Sequence, residues 1–145
     1  MSETILNVGE APPAHFLCYR FTEPGSALFD CIDSDDGIPA PQYAVVAGRV
    51  ADAVPGDWDA LTRAHGNLPP LSPGQPWVLV LFDTPTSATC RVLRETTVSP
   101  EQLCCIALAA HTQALMLYQQ AILAGMQADA RRQRVVVPQL RGVPR

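Results

Sequence analysis

Large apolar side chains recur at every second position near the start of the chain. This alternation over residues 15–22 predicts a β-strand with one apolar face. Residues 23–26 follow with the proline–glycine signature of a tight turn. We therefore expect residues 27–32 to return as the second strand of a hairpin.

Three further apolar segments are predicted as strands. Residues 42–51 are rich in valine, and Gly48 suggests a bulge within that strand. Residues 77–82 are apolar on both faces, so this strand should be central in its sheet. Residues 88–96 alternate between apolar and polar positions. About five strands with mostly short turns favour an antiparallel sheet or a partial β-barrel.

One short helix and one extended connector are predicted between these strands. The helix covers residues 57–65 and begins at Asp57, whose side chain suits the N-cap position. Residues 68–76 contain four prolines, which exclude regular structure and favour an extended path.

The strongest helix signal stands at residue 99. Ser99 is a favoured N-cap residue, Pro100 suits the first helical position, and Gln102 completes a capping box. The helix is predicted to run over 99–130, which gives a rod about 45 Å long at ~1.5 Å per residue. This length exceeds the diameter of so small a domain. Part of the helix should therefore project or pack on another chain.

The long helix carries no formal charge between Gln102 and Ala128, and its apolar residues form two stripes. The first stripe is mostly alanine: Leu103, Ala107, Ala110, Ala114, Leu117 and Ala121. The second stripe has larger side chains: Leu108, Leu115, Ile122 and Met126. A helix this apolar is usually buried on more than one side. A core helix, a helix packed on other subunits and a membrane span are alternatives, and the mid-helix polar group His111 makes the membrane the least favoured.

Residues 131–145 are predicted as a basic, extended C-terminal arm. Three consecutive valines and two prolines favour an extended chain over a helix. The apolar residues of the arm are expected to contact other subunits, as an added β-strand does: Val135, Val136, Val137 and Leu140. The basic residues at its start are expected to contact an anionic partner: Arg131, Arg132 and Arg134.

Charge is distributed unevenly over the 145 residues, whose net charge is -4. Residues 1–72 hold three arginines and ten acids, a sum of -7, whereas residues 73–145 hold seven arginines and four acids, a sum of +3. Because the acidic half would repel phosphate, the main domain is not expected to bind nucleic acid. With 48% hydrophobic and only 17% charged residues, the chain suits a folded domain partly covered by a protein partner.

The chain has five cysteines, an odd number, and no CxxC pair. We also find no secretory signal peptide in the sequence. We therefore expect free thiols in a reducing compartment, either the cytoplasm or a particle assembled there. His15 and Cys18 are too poorly placed on a strand to share a zinc ion. Cys104 and His111 lie about 10 Å apart along the helix axis, too far for proton transfer. No catalytic residue, metal site or cofactor is predicted.

Together these patterns predict a single α+β domain without an internal repeat. Residues 1–98 form a mainly β region, 99–130 the long helix and 131–145 the arm. The predicted function is a non-enzymatic structural or assembly subunit of a larger protein complex, such as a virus or phage particle. It would bind homo- or hetero-oligomeric partners through the second helix stripe and the arm. The alternative is a small enzyme or ligand-binding domain with a pocket near His111 and Tyr118, followed by a single-pass membrane protein.

Overall fold

The computed structural model describes residues 15–34 and 37–142, with the backbone alone described for 133–142. The strands are β1 (His15–Phe21), β2 (Phe29–Asp33), β3 (Val54–Pro55), β4 (Trp77–Phe82) and β5 (Cys90–Arg94). The helices are α1 (Ala40–Arg49), α2 (Trp58–Ala64) and α3 (Pro100–Gly142), and a 3-10 turn, Val50–Asp52, follows α1. These elements confirm the predicted α+β class.

All five strands form one sheet in the order β2-β1-β4-β5-β3. The first four strands in that order pair antiparallel, but β3 runs parallel to β5, so the sheet is mixed rather than fully antiparallel. β2 and β3 lie at the two edges, so the sheet is open and not a barrel. All six residues of β4 are buried, which confirms its predicted central position.

The prediction of a strand over 42–51 is wrong, because α1 occupies most of this segment. Tyr43, Val46 and Val50 recur at helical spacing and are buried, with 6%, 0% and 1% exposure. Burial of this face outweighs the preference of valine for strands, which is only a weak local bias. Gly48 lies within the helix instead of forming a bulge. Within residues 15–34 and 37–98, the structure therefore has two helices, α1 and α2, where one was expected.

The extended arm is likewise wrong over residues 131–142, because α3 continues to Gly142. Arginine and glutamine at 131–134 favour helix, and no glycine interrupts the chain between Asp129 and Gly142. The three valines and Pro138 lie within the helical backbone. At ~1.5 Å per residue, the 43 residues of α3 span about 65 Å. Residues 143–145 of the predicted arm lie outside the described residues.

The sheet separates two apolar clusters. On one face, α1 and the first half of α3 cover side chains from all four long strands: Leu17, Tyr19, Phe21, Val78, Val80, Phe82 and Val92 among them. On the other face, α2 and the connector before β4 cover Phe16, Cys18, Trp77, Leu79 and Leu81. Arg20 ties this connector to the sheet, because its guanidinium binds Asp30 and donates to the carbonyl oxygen of Pro70 at 3.1 Å. α3 thus packs on one face only.

Two hairpin–helix units repeat within the fold, although no repeat was predicted from the sequence. The first unit is β1, β2 and α1, and the second is β4, β5 and the start of α3. Leu17 pairs with Asp33 in the first hairpin, and Val78 pairs with Arg94 in the second. Both residues of a pair shift by 61, so the two hairpins have the same register.

A two-fold axis relates these units. Cys18 of β1 lies opposite Leu79 of β4, and 79 is 18 shifted by 61. The axis therefore passes through this pair, at the centre of the sheet. The helices follow the same symmetry with a shift of 60: Val46 of α1 and Ile106 of α3 are both fully buried in the same cluster.

Each unit also carries a buried glutamine that binds the turn of the other unit. Gln102 donates from Nε2 to two carbonyl oxygens of the 23–26 turn, at 3.4 and 2.8 Å. Gln42 donates in the same way to the 84–87 turn, at 3.1 and 3.0 Å. The capping box is confirmed as well, because Gln102 and Ser99 exchange hydrogen bonds at 3.0 and 3.2 Å. These bonds hold the start of α3 rigidly on the sheet.

Candidate functional site

The two predicted stripes of α3 have opposite environments. Ala110 and Ala114 of the alanine-rich stripe are 1% and 3% exposed, and Leu103, Ala107 and Leu117 pack partly buried against the same core. The small side chains of this stripe let the helix approach the sheet and α1 closely. The alanine-rich stripe is therefore the core face of α3.

The second stripe points away from the core. Leu108 is 68% exposed, Leu115 50%, Ile122 61% and Met126 61%. Three neighbouring side chains widen this apolar strip: Met116, Tyr118 and Leu123, which are 48%, 43% and 56% exposed. We call these seven residues the α3 apolar surface. All four helix residues predicted to contact other subunits belong to it.

Beyond Leu117, α3 leaves the body of the domain. Every residue from Tyr118 to Gln127 is exposed, whichever side of the helix it occupies. The alanine-rich stripe loses its cover here too, because Ala121 is exposed whereas Ala114 is buried. An uncharged, apolar segment of helix thus projects from the folded domain.

Charged side chains stand only at the two ends of this surface. Glu101 is exposed at the start of α3, and Glu23 lies in the turn that Gln102 binds. Arg131 and Arg132 are exposed at the far end, where Arg132 forms an ion pair with Asp129. Four of the arm residues predicted as contacts, Val135, Val136, Val137 and Leu140, and the side chain of Arg134, lie outside the described side chains.

Two concave regions lie on the opposite side of the sheet, beside Trp58. One has a volume of about 490 Å³ and the other about 360 Å³, and Trp58, Asp59 and Leu71 line both. Glu95 lines the second region. Burial alone would raise the pKa of Glu95, but hydrogen bonds from Thr97 and Thr96 outweigh it and lower the pKa. This carboxylate is therefore poorly suited to act as a general acid, which needs a raised pKa.

Cys18 and Cys31 do not offer an activated nucleophile. Burial raises the pKa of Cys18 from 9.0 to about 12. Desolvation and the nearby Asp33 carboxylate raise the pKa of Cys31 to about 12 as well. A catalytic cysteine needs the opposite shift. The enzyme alternative placed a pocket near His111 and Tyr118. His111 is exposed and Tyr118 is 43% exposed, and neither lines the two concave regions beside Trp58.

Thiol reagents should distinguish the buried cysteine from the exposed one. Raising the pKa of Cys18 by about three units reduces its thiolate fraction at pH 8 roughly 1000-fold, and burial blocks access further. We expect the exposed Cys104 to react with iodoacetamide in dilute native protein while Cys18 stays unmodified until denaturant is added. Peptide mass mapping measures both sites. Equal labelling of the two cysteines under native conditions would contradict the buried position of Cys18.

Metal and membrane sites were sought in the same part of the chain. Within residues 15–34 and 37–132, no three histidine, cysteine, aspartate or glutamate side chains gather closely enough to hold a metal ion. None of the helices described for this chain combines the length and the apolarity needed to cross a membrane.

Comparisons of the chain with protein-family models, with curated proteins and with solved structures each found no match.

Proposed function

We propose that this protein is a non-enzymatic assembly subunit that binds other protein chains through the α3 apolar surface. The observation that carries the proposal is the projection of this surface, because seven large apolar side chains lie exposed on one uncharged helix segment. Contiguous apolar patches of this extent on a folded domain usually mark a contact with another molecule.

The lack of charged residues on the projecting part of α3 supports a protein partner. A helix that projects into water is normally polar around its girth or stabilised by ion pairs between successive turns. From Gln102 to Ala128, α3 has no aspartate, glutamate, lysine or arginine. Helix packing against another chain would bury its apolar strip in the way that its alanine-rich stripe is buried against the sheet.

The chemistry of the described residues favours binding over catalysis. The cysteines whose pKa values shift have them raised, the concave regions beside Trp58 are open, and Glu95 is held ionised. An active site requires a nucleophile or base poised near neutral pH within reach of a second catalytic group. The apolar helix requires no such arrangement for its proposed role.

Native sizing tests this proposal in extracts of cells that produce the protein. The full chain should migrate in a complex larger than its 15.6 kDa monomer, and the double variant Leu115→Glu/Ile122→Glu should migrate as a monomer. Two charges buried in an apolar contact would abolish it. Ala124→Glu is the matched control and should leave the complex intact, because Ala124 is exposed and none of its neighbours three or four residues away belongs to the α3 apolar surface. A wild-type monomer in the extract would overturn the proposal.

A further inference from the structure

We infer that the partner of the α3 apolar surface is a second copy of this chain, packed antiparallel along α3. The inference rests on the proposed function and specifies the partner. Three features of the described residues support it: the size of the apolar surface, the placement of charges at its ends, and the position of the folded body relative to the helix.

The exposed area matches what a stable dimer needs. At their exposed fractions, the seven side chains present roughly 700–800 Å² of accessible surface, close to the ~800 Å² per partner of a standard interface. Leu108, Leu115 and Ile122 are spaced by seven residues, so they lie along one side of the helix. Such a strip can pack against an identical strip, because helix seams of this spacing interlock along their length.

The charges at the ends of the surface favour the antiparallel direction. The second stripe runs from Leu108 to Met126, so its midpoint is residue 117. When two stripes align in opposite directions about this midpoint, Arg132 of one chain lies opposite residue 102 of the other, beside the exposed Glu101. A parallel pair would instead place Glu101 against Glu101 and Arg132 against Arg132. Asp129 pairs with Arg132 in its own chain, so the described side chains at this end, Asp129, Arg131 and Arg132, sum to +1. The antiparallel pair therefore brings ends of opposite net charge together, and the parallel pair brings ends of like net charge together.

The folded bodies can accommodate this arrangement. Each body packs on the alanine-rich side of α3 and at its N-terminal half, as Ala110 and Ala114 show. In an antiparallel pair the two bodies lie at opposite ends of the joined helices. Their separation also reduces repulsion between two chains that each carry a net charge of -4.

Light scattering of the purified full chain across a dilution series tests the partner. We expect a dimer, and we expect Leu115→Glu/Ile122→Glu to raise its dissociation constant at least ~100-fold. Ala124→Glu, on the opposite side of α3, should leave the constant unchanged. The variants should stay folded by circular dichroism, because neither Leu115 nor Ile122 lies in the core. A monomer at every concentration would overturn the inference, as would a dimer that survives the double substitution.

Charge exchange and cysteine oxidation test whether the two α3 helices of the dimer pack antiparallel. Arg132→Glu should weaken the dimer about 5-fold, and adding Glu101→Arg to the same chain should restore it, because the two substitutions recreate the pair with exchanged signs.

Cys104 is exposed four residues before Leu108, on the same side of α3. In the antiparallel dimer the two Cys104 residues lie roughly 40 Å apart at ~1.5 Å per residue, so mild oxidation should form no disulfide between them.

The failures of the two proposals are distinguishable. A disulfide between two Cys104 residues, or a charge exchange that fails to restore association, would overturn the antiparallel dimer. A purified monomer together with a complex in cell extracts that depends on Leu115 and Ile122 would overturn the second copy as the partner but leave the assembly function standing. A monomer in both settings would overturn both.

Discussion

Replacing Gln102 with alanine is expected to lower the free energy of unfolding by about 3 kcal/mol. Gln102 is only 1% exposed, and its amide serves two carbonyl oxygens of the 23–26 turn and the backbone N–H of Ser99. Its removal leaves a buried gap and takes the side-chain partner from the carbonyl oxygen of Ser26 and the N–H of Ser99, while the carbonyl oxygen of Glu23 keeps the N–H of Ser26. A group left unsatisfied costs ~1–3 kcal/mol before water or relaxation recovers part of it.

Urea denaturation measures this loss, in the Leu115→Glu/Ile122→Glu background so that association does not contribute. Gln42→Ala should cost a similar amount, because Gln42 is 2% exposed, makes the two symmetry-equivalent bonds to the 84–87 turn, and bonds His15 through its Oε1 at 2.8 Å. Gln120→Ala, at an exposed position, should cost less than ~0.5 kcal/mol. A loss below ~1 kcal/mol for both buried glutamines would show that the exchanged turn contacts contribute little.

Truncating Ile106 to alanine should cost about 3–4 kcal/mol of folding stability, because Ile106 is fully buried beneath α1 and a cavity would remain. Leu108 lies two residues away on the same helix but is 68% exposed, so Leu108→Ala should leave the unfolding free energy nearly unchanged. For association we expect the opposite: Leu108→Ala should weaken the dimer, and Ile106→Ala should leave its affinity nearly unchanged.

Measuring folding stability and dimer affinity for both variants shows which face of α3 belongs to the core and which to the dimer contact. In the Leu115→Glu/Ile122→Glu background, we expect Ile106→Ala to lower the urea midpoint and Leu108→Ala to keep it. In the wild-type background, Leu108→Ala should raise the dissociation constant of the dimer several-fold. If Leu108→Ala destabilised the monomer as strongly as Ile106→Ala, the second stripe would belong to the core. The alanine residues at 110 and 114 would then no longer define the only buried side of the described helix.

Local signals were sufficient for much of the fold. The strand signal of β1, the apolar run of β4 and the capping box at Ser99 are each properties of a few adjacent residues, and the structure confirms these three elements. It differs in that both faces of β1 are buried, not one. The N-cap role of Asp57 is confirmed for the same reason, since its side chain accepts a hydrogen bond from the backbone of Asp59. These elements depend little on the rest of the chain.

The helix α1 depends on distant residues and was mispredicted for that reason. Its buried side, with Tyr43 and Val46, packs against α3, which begins about sixty residues later. Valine-rich composition favours a strand locally, and only the tertiary contact decides for the helix. The C-terminal arm was also predicted as extended and is helical over residues 131–142, because continuation of the helix α3 outweighed the local strand preference of its valines.

The internal repeat left a faint signal. Residues 21–27 and 82–88 share the pattern Phe-x-x-Pro-x-Ser-Ala, and a buried glutamine stands at the first helical turn of each unit. Outside these positions the two units differ in sequence, because the two-fold symmetry requires similar backbone shapes and not identical side chains.

For the candidate interaction surface, the periodicity of apolar residues separated the two stripes of α3. It could not say which stripe faces the core, because both are apolar.

The exchange of turn contacts between the two units has a consequence for the growing chain on the ribosome. The 23–26 turn receives its side-chain donors only when Gln102 has left the exit tunnel, about 80 residues of synthesis later. At ~5–20 residues per second this delay is roughly 4–16 s. During that time β1 also lacks β4, its partner on the other edge. Protection of nascent β1 by a holding chaperone would therefore matter most before the second unit is made.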